Sequence, residues 1–380
     1  MFTFLLLLAM VQNPQDLYKA AIADMDAGRY SEAAARFEQI LKDEPTHIPS
    51  EFNLAVCYTR TGNPGGAESL YRKIVEQDPT VYEAHINLGI LLYDAASRLA
   101  EADEFFMNAS HLRPQDAQPM LYHALILEKL GDLDTAATSY ERAVQLDPKN
   151  GDTRAAATRF LVKRADEERR RGNLQKAIAD LEAALALDSS NSAVQRRLGL
   201  VYREAGQFDK AIDVLAPLGI RGSEEDLDLA LTYFAKKDYA RAAAVFDLLA
   251  AKDPSNADYH YMLGKSLMET KQYGKAAVSL LAALKLKPAD TEALSSLAST
   301  YQLQEDWAHA VPVIERFIQM KPKDAFAYFM LGSCYDRLGN FRQALLNYNK
   351  FLALDDGSSD VRSFQARQRA KTLDQRLKKP

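Results

Sequence analysis

The residues best suited to chemistry in this chain are six histidines, two cysteines, a Gly-Lys-Ser triplet and a run of arginines. Metal binding would need histidines or cysteines paired at short spacing. His47, His85, His111, His123, His260 and His309 show no H-E-x-x-H or similar pairing, so no metal site is expected. Gly264-Lys265-Ser266 has the ending of a phosphate-cradling loop, but Tyr259 stands where that loop needs its first glycine. Cys57 and Cys334 are too few for a disulfide framework or a four-cysteine zinc site. No Ser-His-Asp set and no paired carboxylates stand out from the charged background. The sequence predicts no catalytic, cofactor-binding or metal-ligating residue, and a chain that is not an enzyme.

The arginines could instead meet an anion. Arg159, Lys163, Arg169, Arg170, Arg196, Arg197 and Arg203 form a candidate basic band, and residues 151–175 hold seven basic against four acidic groups. Two readings stay open. The band touches a nucleic acid or another anionic partner, or it is a solvated face where Asp166-Glu167-Glu168 offset Arg169-Arg170-Arg171. The whole chain disfavours nucleic acid. Its 380 residues carry 47 Lys+Arg and 52 Asp+Glu, a net charge of −5, and the band lacks interleaved aromatics for base stacking.

The elements that must position these residues are set by a repeat. Prolines at 45, 79, 114 and 148, then at 254, 288 and 322, recur every 34 or 35 residues within each set. A proline at that interval after an Ala- and Leu-rich run reads as the stop of a helical hairpin. Aligned on the prolines, ten copies start near residues 14, 48, 82, 117, 158, 192, 223, 257, 291 and 325. Position 8 is Ala or Gly in all ten, from Ala21 to Gly332, and position 20 is Ala in all ten, shifted by one in the third. Two small residues on the two helices of a hairpin let the backbones approach. Phe37, Tyr71, Phe106, Tyr140, Phe246 and Tyr348 at position 24 fill the neighbouring space. Glycines 28, 62, 131, 172, 206 and 339 mark the turn at position 15.

This pattern resembles the tetratricopeptide repeat family over about residues 14–356. The resemblance implies an all-α fold, a right-handed superhelical solenoid of stacked antiparallel helix pairs. It also implies that first helices line a concave groove through positions 2, 5, 9, 12 and 13. In copies one to four those positions offer Tyr18, Ile22, Phe52, Val56, Ile86, Ile90, Tyr93, Leu121 and Leu125, an apolar trough suited to a partner segment. Some family members clamp a C-terminal carboxylate with Lys, Asn and Arg. Asn53 and Asn87 match the asparagine of that clamp at position 6, while Tyr18 and Phe52 replace its lysine.

The copies divide into a first sub-array over 13–222, with six repeats, and a second over 223–356, with four, joined irregularly near 216–225. Residues 357–380 are read as a basic capping helix. Its apolar positions are Val361, Phe364, Ala366, Ala370, Leu373 and Leu377, and seven Lys/Arg stand against two Asp in 360–380. The run Phe2–Val11 is too short to span a bilayer and suits a secretory leader over 1–12. The expectation is a bacterial-type interaction scaffold, exported and periplasmic or envelope-associated, or cytoplasmic if that run is not a leader. Its partner is another protein or peptide segment. Contact to nucleic acid, or a role as regulatory subunit of an enzyme complex, is the alternative, and the membrane enters only through the leader.

Overall fold

A computed structural model describes residues 13–218, 224–355 and 360–378. The leader over 1–12, the centre of the 216–225 join and the expected start of the last helix at Gly357-Ser358-Ser359 lie outside the described residues. The first eight helices are four hairpins: α1 (Pro14–Asp26) with α2 (Tyr30–Asp43), α3 (Ile48–Arg60) with α4 (Pro64–Gln77), α5 (Tyr82–Asp94) with α6 (Leu99–Leu112), and α7 (Ala117–Leu130) with α8 (Leu133–Leu146). Next come α9 (Gly151–Arg170), α10 (Leu174–Leu187), α11 (Ser192–Glu204) and α12 (Phe208–Leu215). The seven extra residues of the fifth copy extend α9 to 20 residues, against 13 in α1. The hairpins resume with α13 (Glu224–Ala235) and α14 (Tyr239–Lys252), α15 (Ala257–Glu269) and α16 (Tyr273–Leu286), α17 (Thr291–Leu303) and α18 (Trp307–Met320), and α19 (Ala325–Arg337) and α20 (Phe341–Leu354). A final helix, α21 (Asp360–Leu377), follows.

The chain is all-α and divides into two compact units. One runs through Glu167 and includes Ala183–Ser189; the other comprises Glu168–Glu182 and everything from Ser190. Within each unit, helices adjacent in the chain pack side by side.

Local chemistry explains the hairpins. Each repeat proline follows the residue that caps a second helix, and proline pushes the residue before it into extended backbone. Asp78, before Pro79, has φ −145° and ψ 98°, and Glu44, before Pro45, has φ −125°. The helix therefore ends two residues before the proline, with the cap between them. Position 4 of the following helix pins the loop. The rings of His85 and His260 hydrogen-bond the carbonyls of Pro79 and Pro254 at 2.9 and 3.1 Å, and Tyr328 donates to that of Pro322 at 3.2 Å.

Among the described residues, the turn inside every hairpin but the third uses a left-handed residue. Gly131 supplies it at φ +86°, and three copies without glycine force Lys237, Lys271 and Glu305 into the same region. For an L-residue that conformation costs roughly 1–2 kcal/mol, offset in part by the lower unfolded entropy of a non-glycine residue. Lys271→Gly is expected to stabilise the second unit by roughly 0.5–1 kcal/mol, read as a higher midpoint in urea. An unchanged or lower midpoint would show that the turn is unstrained.

Position 8 packs against position 24. A Cβ on Gly89 would lie 2.9 Å from the Phe106 ring, and one on Gly264 2.7 Å from Leu280 Cγ. Gly264 is thus a packing residue, as its place in the repeat suggests. The third copy, which lacks the turn glycine, closes with a short 3-10 turn at Ala96–Arg98 and an ion network. Arg98 holds Glu68 through Nη1 and Nη2, each at 2.8 Å, and Glu101 through Nε at 2.8 Å, while Arg72 joins both carboxylates. The Arg98 hydrogen bonds hold the Glu68 carboxyl down to about 2.

The last helix caps the second unit with half of the stripe its sequence suggests, Ala366, Ala370 and Leu373, while Leu377 at its end stays exposed. Ser363, Ala366, Ala370 and Leu373 are buried, and the last three join Tyr348 and Phe351 of α20 in one core cluster. Val361 and Phe364 instead stay exposed at 71% and 62%. Residues 363, 366, 370 and 373 keep a seven-residue seam facing α20. Val361 and Phe364 lie on the face turned away from that seam.

Candidate functional site

In the first unit, the side chains read as groove-lining are anchored from below by the hairpin cores. The Tyr18 ring meets Phe37 and His47 edge-on, with centroids at 5.7 and 5.8 Å, and Phe52 meets Tyr71 at 5.9 Å. Tyr18, Ile22, Phe52, Val56, Ile90, Tyr93, Leu121 and Leu125 are all half-buried, each leaving part of its surface to solvent. Ile86 differs: it is 6% exposed and belongs to the core cluster of the second to fourth copies. A first-helix position faces solvent only where its neighbours leave it room, and here Phe52, Ile90 and Tyr122 pack around that cluster.

Of the two asparagines, Asn53 is engaged within the protein. Asn53 Nδ2 donates to Tyr18 Oη and to the Pro49 carbonyl, both at 2.9 Å, which occupies both amide hydrogens. Asn87 is half-buried. The Asn53 amide therefore has no N–H to offer a carboxylate.

The structure brings Tyr93, Leu121 and Leu125 into one cleft of about 1120 Å³. Tyr122 and Leu146 complete its apolar lining, the loops before α7 and α9 supply Arg113, Pro114, Asp116 and Asp147, and the first turn of α9 supplies Asp152. Tyr18, Ile22, Phe52, Val56 and Ile90 line the first hairpins outside it. The cleft is built on stacked aromatics. Tyr122 lies flat on buried Phe106, with centroids at 4.5 Å and planes 4° apart, and Tyr93 meets Tyr122 edge-on at 5.5 Å. Lys129 Nζ sits 3.6 Å from the centre of the Tyr93 ring.

Its polar edge is equally fixed. Asp116 caps α7 by accepting from the Gln118 N–H at 2.9 Å, and its other oxygen accepts from the Tyr82 hydroxyl at 2.6 Å. Burial, and then that hydrogen bond, raise the Tyr82 hydroxyl well above its usual range, so it remains a donor. The guanidinium of Arg113 lies 4.0 Å over the Tyr82 ring and pairs with Glu83.

Tyr122 sits at position 6, beside Leu121, and the groove positions of the repeat do not include it. The aspartates are missed because Asp147-Pro148 and Pro114-Gln115-Asp116 read only as helix stops. Their spacing from the prolines was the available signal.

The basic band falls in both units. Arg159 and Lys163 lie in the first, and Arg169, Arg170, Arg196, Arg197 and Arg203 in the second. Lys163 Nζ is 2.8 Å from Glu128 Oε1, and Arg169 binds both oxygens of Glu204, at 2.8 and 2.5 Å. Arg196 Nε donates to Asp228 Oδ2 at 2.7 Å, and Arg203 Nη1 lies 3.6 Å from the same carboxylate. These partners stand 35 residues away for Lys163 and Arg169 and 32 for Arg196, about one repeat. Arg159, Arg170 and Arg197 are exposed. Much of the band's charge is therefore matched inside its own unit.

The remaining reactive groups are held in place. His123 Nδ1 lies 2.6 Å from Asp103 Oδ1, and Arg164 donates to the Leu133 carbonyl at 3.0 Å. Both thiols are buried and free; burial pushes Cys57 up to about 11 and also raises Cys334. The folded chain is expected to leave both cysteines unlabelled by a thiol reagent near ~pH 8, and to label two per chain once unfolded in urea. Rapid native labelling of either thiol would contradict this burial. Among the described residues, no cluster of His, Cys, Asp and Glu has metal-binding geometry, and no helix is long and apolar enough to cross a membrane.

Sequence comparison places these features among known proteins. Family profiles described as tetratricopeptide repeat match residues 24–80, 123–150, 168–226, 227–291 and 296–359. The BBSome complex member BBS4 homolog of Drosophila melanogaster is 24% identical over 359 residues, covering 91% of this chain and 65% of that protein. Superkiller complex protein 3 of Homo sapiens is 23% identical over 349 residues, covering 90% of this chain and 20% of its own length. The chain thus spans less than two thirds of either relative. A solved structure of Naa15/Naa10 bound to HypK-THB is 16% identical over 94% of this chain and 65% of that one, with a TM-score of 0.48.

Proposed function

Because this chain belongs to the tetratricopeptide repeat family, we propose that it is a non-enzymatic scaffold that holds a segment of another protein in the cleft of its first unit. One observation carries this reading. Tyr93, Leu121, Tyr122 and Leu125 leave a connected apolar surface half-covered in a cleft of about 1120 Å³, and apolar surface of that kind is a liability unless a partner covers it. Two relatives named as members of complexes support a protein partner. Rigid hairpins present the cleft ready-formed, so little ordering opposes binding on the scaffold's side.

A photo-crosslinking residue at Gln118, in the cleft lining, tests the site in extracts of the native source. It is expected to capture a protein that the same residue at exposed Thr138 on α8 does not. Equal capture at both positions would contradict the cleft as the binding site, and turnover by the purified chain would contradict the scaffold reading. Export through Phe2–Val11 belongs to the same proposal; N-terminal sequencing of the mature protein tests it, and an intact Met1 in the cytoplasmic fraction would contradict it.

A further inference from the structure

We propose that the occupant of this cleft is a segment carrying an arginine or lysine beside an apolar anchor, a choice that rests on the scaffold reading and adds the chemistry of the partner. The floor of the cleft is Tyr93, Leu121, Tyr122, Leu125 and Leu146, which suits a leucine or an aromatic side chain. The edge is acidic. Asp116, Asp147 and Asp152 line it against Arg113, the one cation among the described residues that do so, and Arg113 is engaged by Glu83 and the Tyr82 ring.

The carboxylates keep capacity for a ligand. Asp116 accepts one donor on each oxygen, and each oxygen has a second lone pair. Asp147 takes the Lys149 N–H on Oδ1 at 3.3 Å, and both Asp147 and Asp152 are exposed. An arginine fork matches such oxygens in geometry as well as charge, and the stem of an arginine or lysine can lie along the leucines while its head reaches the edge. An acidic segment would meet three carboxylates with no unengaged cation in the lining to answer them. Exposed edge charges act mainly on encounter and selectivity, whereas the buried anchor sets residence time.

A library of random 12-residue peptides on phage, panned against the full chain, provides the test. Recovered peptides are expected to place Arg or Lys within a few residues of Leu, Ile, Phe, Tyr or Trp. A synthetic copy is expected to lose roughly tenfold in affinity when Asp147→Asn and Asp152→Asn are combined, or when its basic residue becomes glutamine. Leu121→Ser with Leu125→Ser separates the two claims. If that pair abolishes binding while the asparagine pair does nothing, the cleft stands and its preference for a basic segment falls. If recovered peptides are acidic or uncharged, the preference falls too. If the serine pair binds unchanged, or panning recovers nothing above background, both claims fall.

Discussion

Phe106→Ala is expected to destabilise the first unit by about 3–5 kcal/mol and to loosen the cleft with it. Phe106 is fully buried, and its ring lies 2.9 Å from where a Cβ on Gly89 would stand. The Gly89 contact joins α5 to α6, and the same ring stacks on Tyr122 of α7 with centroids 4.5 Å apart. Removing the ring leaves a cavity between helices that cannot close without moving Tyr122. Gly89→Leu attacks the same contact from the other side by forcing a branched side chain into Phe106, where overpacking costs about 1–3 kcal/mol or more. Repeat arrays lose stability near the site of change first. Urea unfolding is therefore expected to show an early transition, with amide exchange fastest in α5–α7. A loss under about 1 kcal/mol for Phe106→Ala would show that the position 8–24 contact does not organise the hairpin.

Leu121→Ser combined with Leu125→Ser is expected to weaken capture of the natural partner by one to three orders of magnitude. Each change removes an apolar anchor of roughly 1–2 kcal/mol, and a sum of about 2–4 kcal/mol corresponds to roughly 30- to 1000-fold. Both leucines are half-buried against Phe160 and Tyr140, so helicity and the unfolding midpoint must be measured beside affinity. Val361→Ser with Phe364→Ser is the matched control. Those residues are apolar and more exposed, but they belong to the second unit. The control pair is expected to leave capture unchanged. Retained capture by the Leu121/Leu125 pair would place the site elsewhere.

The repeat was legible because its determinants are single residues with one physical task. Proline cannot continue a helix, and only a small residue fits opposite Phe106 or Leu280, so both recur at the same interval. Facing was harder to read. Whether Ile86 or Ile90 reaches solvent depends on how closely consecutive hairpins stack, which a one-repeat period does not encode. Phe364 failed for a simpler reason: it stands two residues before Ala366, and a 3.6-residue turn puts it on the face turned away from Tyr348 and Phe351. The basic band was read from neighbours three and four residues apart, whereas Arg169 and Arg196 find Glu204 and Asp228 one repeat along. The acidic edge of the cleft was hidden in loops. Asp116 and Asp147 looked like parts of helix stops, and the fold brings them to the same opening as Tyr122.

Amide hydrogen exchange of the full chain, with and without the protein captured through Gln118, tests the binding site most directly. The predicted result is slower exchange in α5, α7, the loop over residues 113–117 and the segment 146–153, with the second unit unchanged. Protection confined to α11–α21, or no protection at all beside a measurable affinity, would contradict it.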